Sequence, residues 1–222
     1  MIPRRQRSPG IADRPPRAAT ADAGTRERLL ATGLDLARRD GIKSVSVRAV
    51  AAAAEVNLGS FVYHFGTRDA FVYELVDRWY APLMAGLQLS AGSDDPLRGV
   101  LRQLGHWVAA NGRFLAMLIR DAAAGEAGVR DFLATMDRRH IALLLDLIRQ
   151  GQEAGRLARA DPTLQLMFLM GSVVLPILML QGQQGLGPEA FLKRLASLAG
   201  DEQAIDTRLD WALRGLAAVT EG

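Results

Sequence analysis

From Ala23 to Gly222 the apolar residues recur three and four positions apart, and no stretch shows the strict alternation of a half-buried strand. That period makes the chain all-α. Thr25 is placed to cap a first helix running to Arg39, with Leu30, Gly33, Leu34 and Ala37 on one face, and Asp40-Gly41 ends it. Ser46 is placed to cap a short second helix carrying Val47, Val50, Ala51 and Ala54. Asn57 caps a third with Phe61 and Phe65 four apart, and Thr67 a fourth through Phe71, Leu75, Trp79 and Met84, with Pro82 as an interruption. Further helices are expected over 96–110, 113–124, 129–154, 164–181, 188–198 and 201–219.

The 222 residues, 49% hydrophobic, suit one medium domain or two small ones sharing a helix. With no cysteine there is no disulfide framework and no cysteine-ligated metal, which fits a reducing cytoplasm. The net charge of +3 is unevenly spread. Residues 1–80 hold 13 Lys and Arg against 9 Asp and Glu, whereas 81–222 hold 14 against 15. A cationic segment beside a neutral one is the electrostatic footprint of nucleic-acid binding. Residues 1–23 have no apolar signal segment. They carry Arg4, Arg5, Arg7, Arg14 and Arg17 among four prolines, so they are read as a disordered basic arm: one that tracks DNA, or a solvated leader without a specific role. The uncharged run Leu166–Leu180 is too short to span a bilayer and holds Gly171 and Pro176; it is read as a buried core helix, with no membrane partner.

Two short helices joined by a tight turn at Glu55-Val56, behind a longer supporting helix, read as a tri-helical helix-turn-helix over 24–68, followed by a helical domain over 69–222. The second of the pair would enter a major groove N-terminus first. With Phe61 and Phe65 turned to the core, the faces carrying Asn57, Leu58, Gly59, Ser60, Val62, Tyr63 and His64 are left for DNA. Gly59 allows close backbone approach, Leu58 an apolar contact to thymine methyl groups, and Tyr63 and His64 contacts to phosphates. No G-x-S-x-G elbow, phosphate loop or H-E-x-x-H motif is present, and three histidines leave few acid–base candidates, so the chain is not read as an enzyme. No cofactor and no metal site are expected.

The segments LLATGLDLARRDG, SVRAVAAAAEV and NLGSFVYHFGTRDAF, spanning Thr25 to Leu75, resemble the DNA-binding domain of the TetR family of bacterial regulators. The resemblance implies DNA contacts from Ser46 and Arg48 on the second helix, from Ser60, Tyr63 and His64 on the third, and a phosphate held by Arg68. It departs at Glu55, where the family has Gly in the turn, at Gly33, where Ala is usual, and at Leu58, where a polar residue is common.

The same resemblance implies a homodimer built by helices near 163–181 and 202–219. Met170, Val173, Val174, Ile177 and Leu178 give the first an apolar surface too broad for one small core, and Leu209, Leu213 and Leu216 stripe the second. It also implies a ligand cavity. Trp79, Met84, Trp107, Phe114, Met117, Met136, Leu144, Met167 and Met170 supply adaptable apolar lining, with His106 or His140 as a polar handle for an unknown small apolar molecule. The function expected is a ligand-responsive transcriptional regulator, a repressor that binds a palindromic double-stranded DNA operator as a dimer and is released by a small apolar ligand, with an activator as the alternative and a small helical enzyme as the rival class.

Overall fold

A computed structural model describes residues 17–180 and 189–218, with side chains from Asp22 onward. Helix α1 (Arg17–Asp40), a 3-10 turn (Ile42–Ser44), α2 (Val47–Ala53) and α3 (Leu58–Phe65) form an N-terminal three-helix unit. Helix α4 (Arg68–Ala91) leaves it. Then follow α5 (Pro96–Ala123), α6 (Ala127–Leu133), a 3-10 turn (Met136–Arg138), α7 (His140–Glu153), α8 (Pro162–Val173), α9 (Leu175–Leu180), α10 (Glu189–Gly200) and α11 (Glu202–Gly215). The fold is all-α. Among the described residues the one extended pairing is an isolated antiparallel bridge between Leu157 and Ala217, where Ala158 N–H donates to Leu216 O at 2.9 Å.

The predicted caps are in place. Ser46 Oγ accepts from Ala49 N–H at 3.1 Å, Asn57 Oδ1 from Ser60 N–H at 2.8 Å and Thr67 Oγ1 from Ala70 N–H at 3.1 Å. Each satisfies one orphan amide, worth about 1 kcal/mol. Other boundaries differ. Helix α1 starts at Arg17 rather than Thr25, because the Ala-rich run before Thr25 is good helix former; residues 1–16 of the expected arm lie outside the described residues. Pro82 does not interrupt α4. Asn111-Gly112 does not break α5, since Asn111 Nδ2 donates back to Trp107 O at 3.0 Å inside the helix. The expected helix over 129–154 is split at 134–139, where Thr135 Oγ1 takes up Phe132 O. The one over 164–181 is split at Val174, because Pro176 has no N–H to give the turn before it. Helix α11 stops at Gly215, and the next residues turn back to pair with 156–158. The expected termini at Gln181, Pro188 and Val219 lie outside the described residues.

Helix α4 belongs to both halves. Its Phe71 ring lies 4.9 Å from Phe61 and 4.7 Å from Phe65, so the core of the three-helix unit is closed by a residue from outside it. A Cβ on Gly33 would sit 2.5 Å from Phe71 Cζ, which explains why glycine stands there. Burying three phenylalanines contributes about 1.5–3 kcal/mol each. Further along, α5 runs through the middle of the helical half. A Cβ on Gly105 would fall 2.9 Å from Val173 and 3.0 Å from Ile205, so α8 and α11 both press close on α5.

The expected dimer stripe needs correction. Val173, Val174, Ile177 and Leu209 are buried in the chain's own core, and Met170, Leu178, Leu213 and Leu216 are packed partly against it. The opposite face of α8 and α9 is the exposed one, through Leu164, Met167, Phe168, Leu175 and Met179, with Trp211 exposed on α11. A helix apolar all round does not announce which side meets its own core. Among the described residues no helix is long and apolar enough to cross a membrane.

Between α2 and α3, Glu55 has φ 54°, the one positive-φ residue other than glycine among those described. Glu55 stands in the turn where the resemblance has Gly, and a side chain in this left-handed conformation carries a penalty. Replacing Glu55 by Gly relieves the left-handed penalty, less the extra chain entropy glycine loses, a net gain of about 0.5–1 kcal/mol. Thermal unfolding by circular dichroism should show a higher midpoint for E55G; an equal or lower one refutes the strain.

Candidate nucleic-acid interface and ligand cavity

The surface of α3 is decided by its two phenylalanines. With Phe61 and Phe65 inward, Asn57, Leu58, Gly59, Val62 and Tyr63 are exposed; Tyr63 is 76% accessible. Ser60 is half-buried, its hydroxyl donating to Asn57 Oδ1 at 3.1 Å, so Asn57 and Ser60 cap the helix as well as edging this face. Arg48 on α2 is exposed, as is Lys43 on the preceding turn. Val62 lies on the outward stripe that the inward spacing of Phe61 and Phe65 leaves free, and Lys43 is an exposed cation that the sequence reading did not single out.

Two expected DNA contacts sit elsewhere. The His64 side chain is only 6% accessible, its Nε2 3.4 Å from Asp22 on α1 and its ring edge-on to Tyr63 at 5.1 Å and tilted toward Phe65 at 6.1 Å. It ties α3 to α1, because the helical extension before Thr25 covers it. Arg68 does not reach outward for a phosphate. Its Nε donates to Val45 O at 2.7 Å, one terminal nitrogen to Ile42 O at 2.8 Å and the other to Glu126 at 2.8 Å. It joins the turn before α2, the start of α4 and the α5–α6 connection. Beside it, Asp121 on α5 is buried and accepts from Ile42 N–H at 3.1 Å.

In the helical half, a cavity of about 170 Å³ lies between α4, α5, the Met136 turn, α7, α8 and α9. Of the expected lining, Trp107, Met136, His140 and Met170 face it. The others do not. Trp79 is packed behind Trp107 at 4.6 Å and against Phe114 at 4.9 Å, its Nε1 donating to Asn111 Oδ1 at 3.2 Å. Leu144 is ordinary core, Met84 is half-buried away from the cavity, and Met167 is exposed. Met117 points toward Gly41 of the N-terminal unit. His106 is half-buried, its Nε2 without a partner among the described residues. The lining that sequence reasoning missed includes Tyr80, Leu83, Leu115 and Ile119, together with Val174 and Leu178 from the expected dimer stripe. Tyr80 is one residue from Trp79 and shares the stripe of Leu83, so the error is a rotation of α4 by one position.

The cavity is apolar but for one pair. The Tyr80 hydroxyl and His140 Nδ1 are hydrogen-bonded. Burial, helped by the charge of Arg139, pushes the His140 imidazolium down to about 4. Burial pushes the Tyr80 phenol up to about 12, against the opposing pull of Arg139 and a backbone hydrogen bond from His140. Both groups are therefore neutral at pH 7. Arg139 stays outside, its guanidinium 4.9 Å from the Phe132 ring centre and 2.6 Å from Asp77. No group of three or more potential metal ligands is brought together among the described residues.

The N-terminal unit and the helical half each match a family model: residues 29–75 that of bacterial regulatory proteins of the tetR family, and residues 90–175 that of the tetracyclin repressor-like C-terminal domain. Together they cover more than half of the chain. An HTH-type transcriptional regulator encoded in the dhlA 5' region of Xanthobacter autotrophicus is 32% identical over 87 residues, 36% of this chain and 43% of that protein. The HTH-type transcriptional repressor NemR of Escherichia coli K12 is 39% identical over 57 residues, 26% of this chain and 29% of NemR. The chain thus spans less than half the length of these relatives. Among solved structures, Salmonella enterica GusR shares the fold with a TM-score of 0.66 at 16% identity, over 87% of this chain and 95% of that one. The chain belongs to the tetR family of bacterial regulatory proteins.

Proposed function

We propose that the protein is a cytoplasmic transcriptional repressor that binds a palindromic operator as a homodimer and lets go when a small apolar molecule fills the cavity. The observation that carries the DNA half of this reading is the outward stripe of α3: Leu58, Gly59, Val62 and Tyr63 exposed on a capped helix, with Arg48 beside it. Exposed Leu and Val suit thymine methyl groups, while Tyr63 and Arg48 suit phosphates or base edges. That NemR is named a repressor supports repression over activation. Tyr63→Ala with Arg48→Ala should weaken binding to DNA fragments selected by the wild-type protein at least tenfold at 150 mM salt, the combined loss of contacts worth about 1 kcal/mol or more each. Wild-type affinity in a folded double variant would move the interface off α3.

Dimerisation uses the exposed apolar face of α8, α9 and α11 rather than the stripe buried in the core. A twofold contact is self-complementary, so Leu164, Met167, Phe168, Leu175 and Trp211 would meet their own copies. It would also set two recognition helices about 34–36 Å apart, on successive turns of one DNA face. Phe168→Glu removes apolar area and adds a charge there without touching the core. Light scattering should report a monomer, and a stable F168E dimer would exclude this face.

The switch uses two levers. Tyr80 and Leu83 on α4 line the cavity, while Phe71 at its other end sits in the core of the N-terminal unit. Ile119 on α5 lines it too, and Asp121 two residues on holds the amide of Ile42. A ligand that moves either helix changes the separation of the two DNA-reading units, and couplings of this kind run to about 5–150-fold. Asp121→Ala cuts the α5 lever. Ligand affinity of D121A should stay near wild type while the ligand's effect on DNA affinity falls several-fold; an unchanged coupling would leave α4 as the sole lever.

A further inference from the structure

The cavity has a size, a polarity and one directed hydrogen bond, and together these describe its occupant. Resting on the reading of this cavity as the effector site, we propose that it takes a neutral, single-ring molecule whose one accepting oxygen is held by His140 Nε2. The size follows from the volume: an apolar cavity of about 150 Å³ takes one benzene, and this one measures about 170 Å³. A fused polycycle or a long acyl chain does not fit.

The polarity follows from a proton count. Among the described residues the Tyr80 hydroxyl has one side-chain hydrogen-bond partner, His140 Nδ1, and no other acceptor for its proton. The phenol therefore gives its proton to that nitrogen. A neutral imidazole that accepts at Nδ1 carries its proton on Nε2. That atom makes no hydrogen bond among the described residues and is not sealed in the core, and its residue lines the cavity. The remaining lining is Leu, Val, Ile, Met and the Trp107 ring. Beside the Trp107 indole N–H, the cavity therefore offers the His140 Nε2–H donor and no free acceptor or countercharge. A carbonyl or ether oxygen is matched there. A hydrocarbon leaves the donor unpaired, an ammonium meets a donor with nothing to receive its protons, and a carboxylate would be buried with no countercharge.

The test compares acetophenone with ethylbenzene, benzylammonium and benzoate on the full chain at pH 7. Trp107 fluorescence and calorimetry follow binding, with no DNA present. Acetophenone should bind about tenfold tighter than ethylbenzene, the cost of leaving a buried donor unsatisfied, and the two ions should bind at least about a hundredfold more weakly. His140→Leu should bring acetophenone and ethylbenzene to equal affinity. Should H140L lose its folded circular dichroism, Tyr80→Phe carries the same test, since it frees Nδ1 and should narrow the preference. Equal affinities in the wild type, retention of the preference in H140L, tightest binding of an ion, or no binding of acetophenone up to its solubility each overturn the proposal. Release of DNA is measured separately. Acetophenone that binds with the expected preference and leaves DNA affinity unchanged sinks the effector reading and keeps the ligand class.

Discussion

The Phe71 ring is the point on which the two halves turn. It is carried by α4 but buried between Phe61 and Phe65, and it fits only because Gly33 on α1 leaves a notch where a Cβ would clash. The DNA-reading unit therefore has no complete core of its own. Its third aromatic arrives from the helix that also carries Tyr80 and Leu83 into the cavity. Close-packed aromatics resist continuous deformation, so a rotation of α4 at its cavity end reaches α3 as a shift of the whole unit rather than as loosened packing.

Around that anchor lies a second set of ties, all polar and all converging on one short turn. Arg68 takes the carbonyls of Ile42 and Val45, Glu126 takes Arg68, and Asp121 takes the amide of Ile42. Charge-assisted hydrogen bonds of this kind are short and directional. They fix the start of α2, and with it Arg48, to the end of α5. Two of its hydrogen bonds hold backbone carbonyls and a third holds the Glu126 carboxylate, so the Arg68 guanidinium is turned inward and serves geometry. His64 has gone the same way, toward Asp22.

The local grammar of the chain was legible in its sequence: the caps at Ser46, Asn57 and Thr67 and the inward pair Phe61 and Phe65 follow from residue type and spacing, and the departure at Glu55 from the family resemblance. What was hidden depends on partners distant in sequence. Nothing near Arg68 foretells Glu126, and nothing near Ile42 foretells Asp121, 79 residues away. Trp79 and Tyr80 are both aromatic on one helix, and only the neighbouring α5 decides that the first packs behind Trp107 while the second meets the cavity. Pro176 was read inside one helix over 164–181, and the structure divides that stretch into α8 and α9 at Val174.

Helices α8 and α9 sharpen the point, because an apolar stretch with no polar side has to be divided among several claims. Val173 and Ile177 go to the core, Met170, Val174 and Leu178 reach the cavity, and Leu164, Met167, Phe168, Leu175 and Met179 are left outside. Monomeric proteins rarely leave so many large apolar side chains contiguous on one face. In the dimer proposed here the same two helices would line the cavity with one stripe and meet the partner with another, barely a helix diameter away. Filling the cavity would then press on the twofold contact as directly as on α4. The spacing of the two DNA-reading units would depend on the subunit interface as much as on either lever within a subunit.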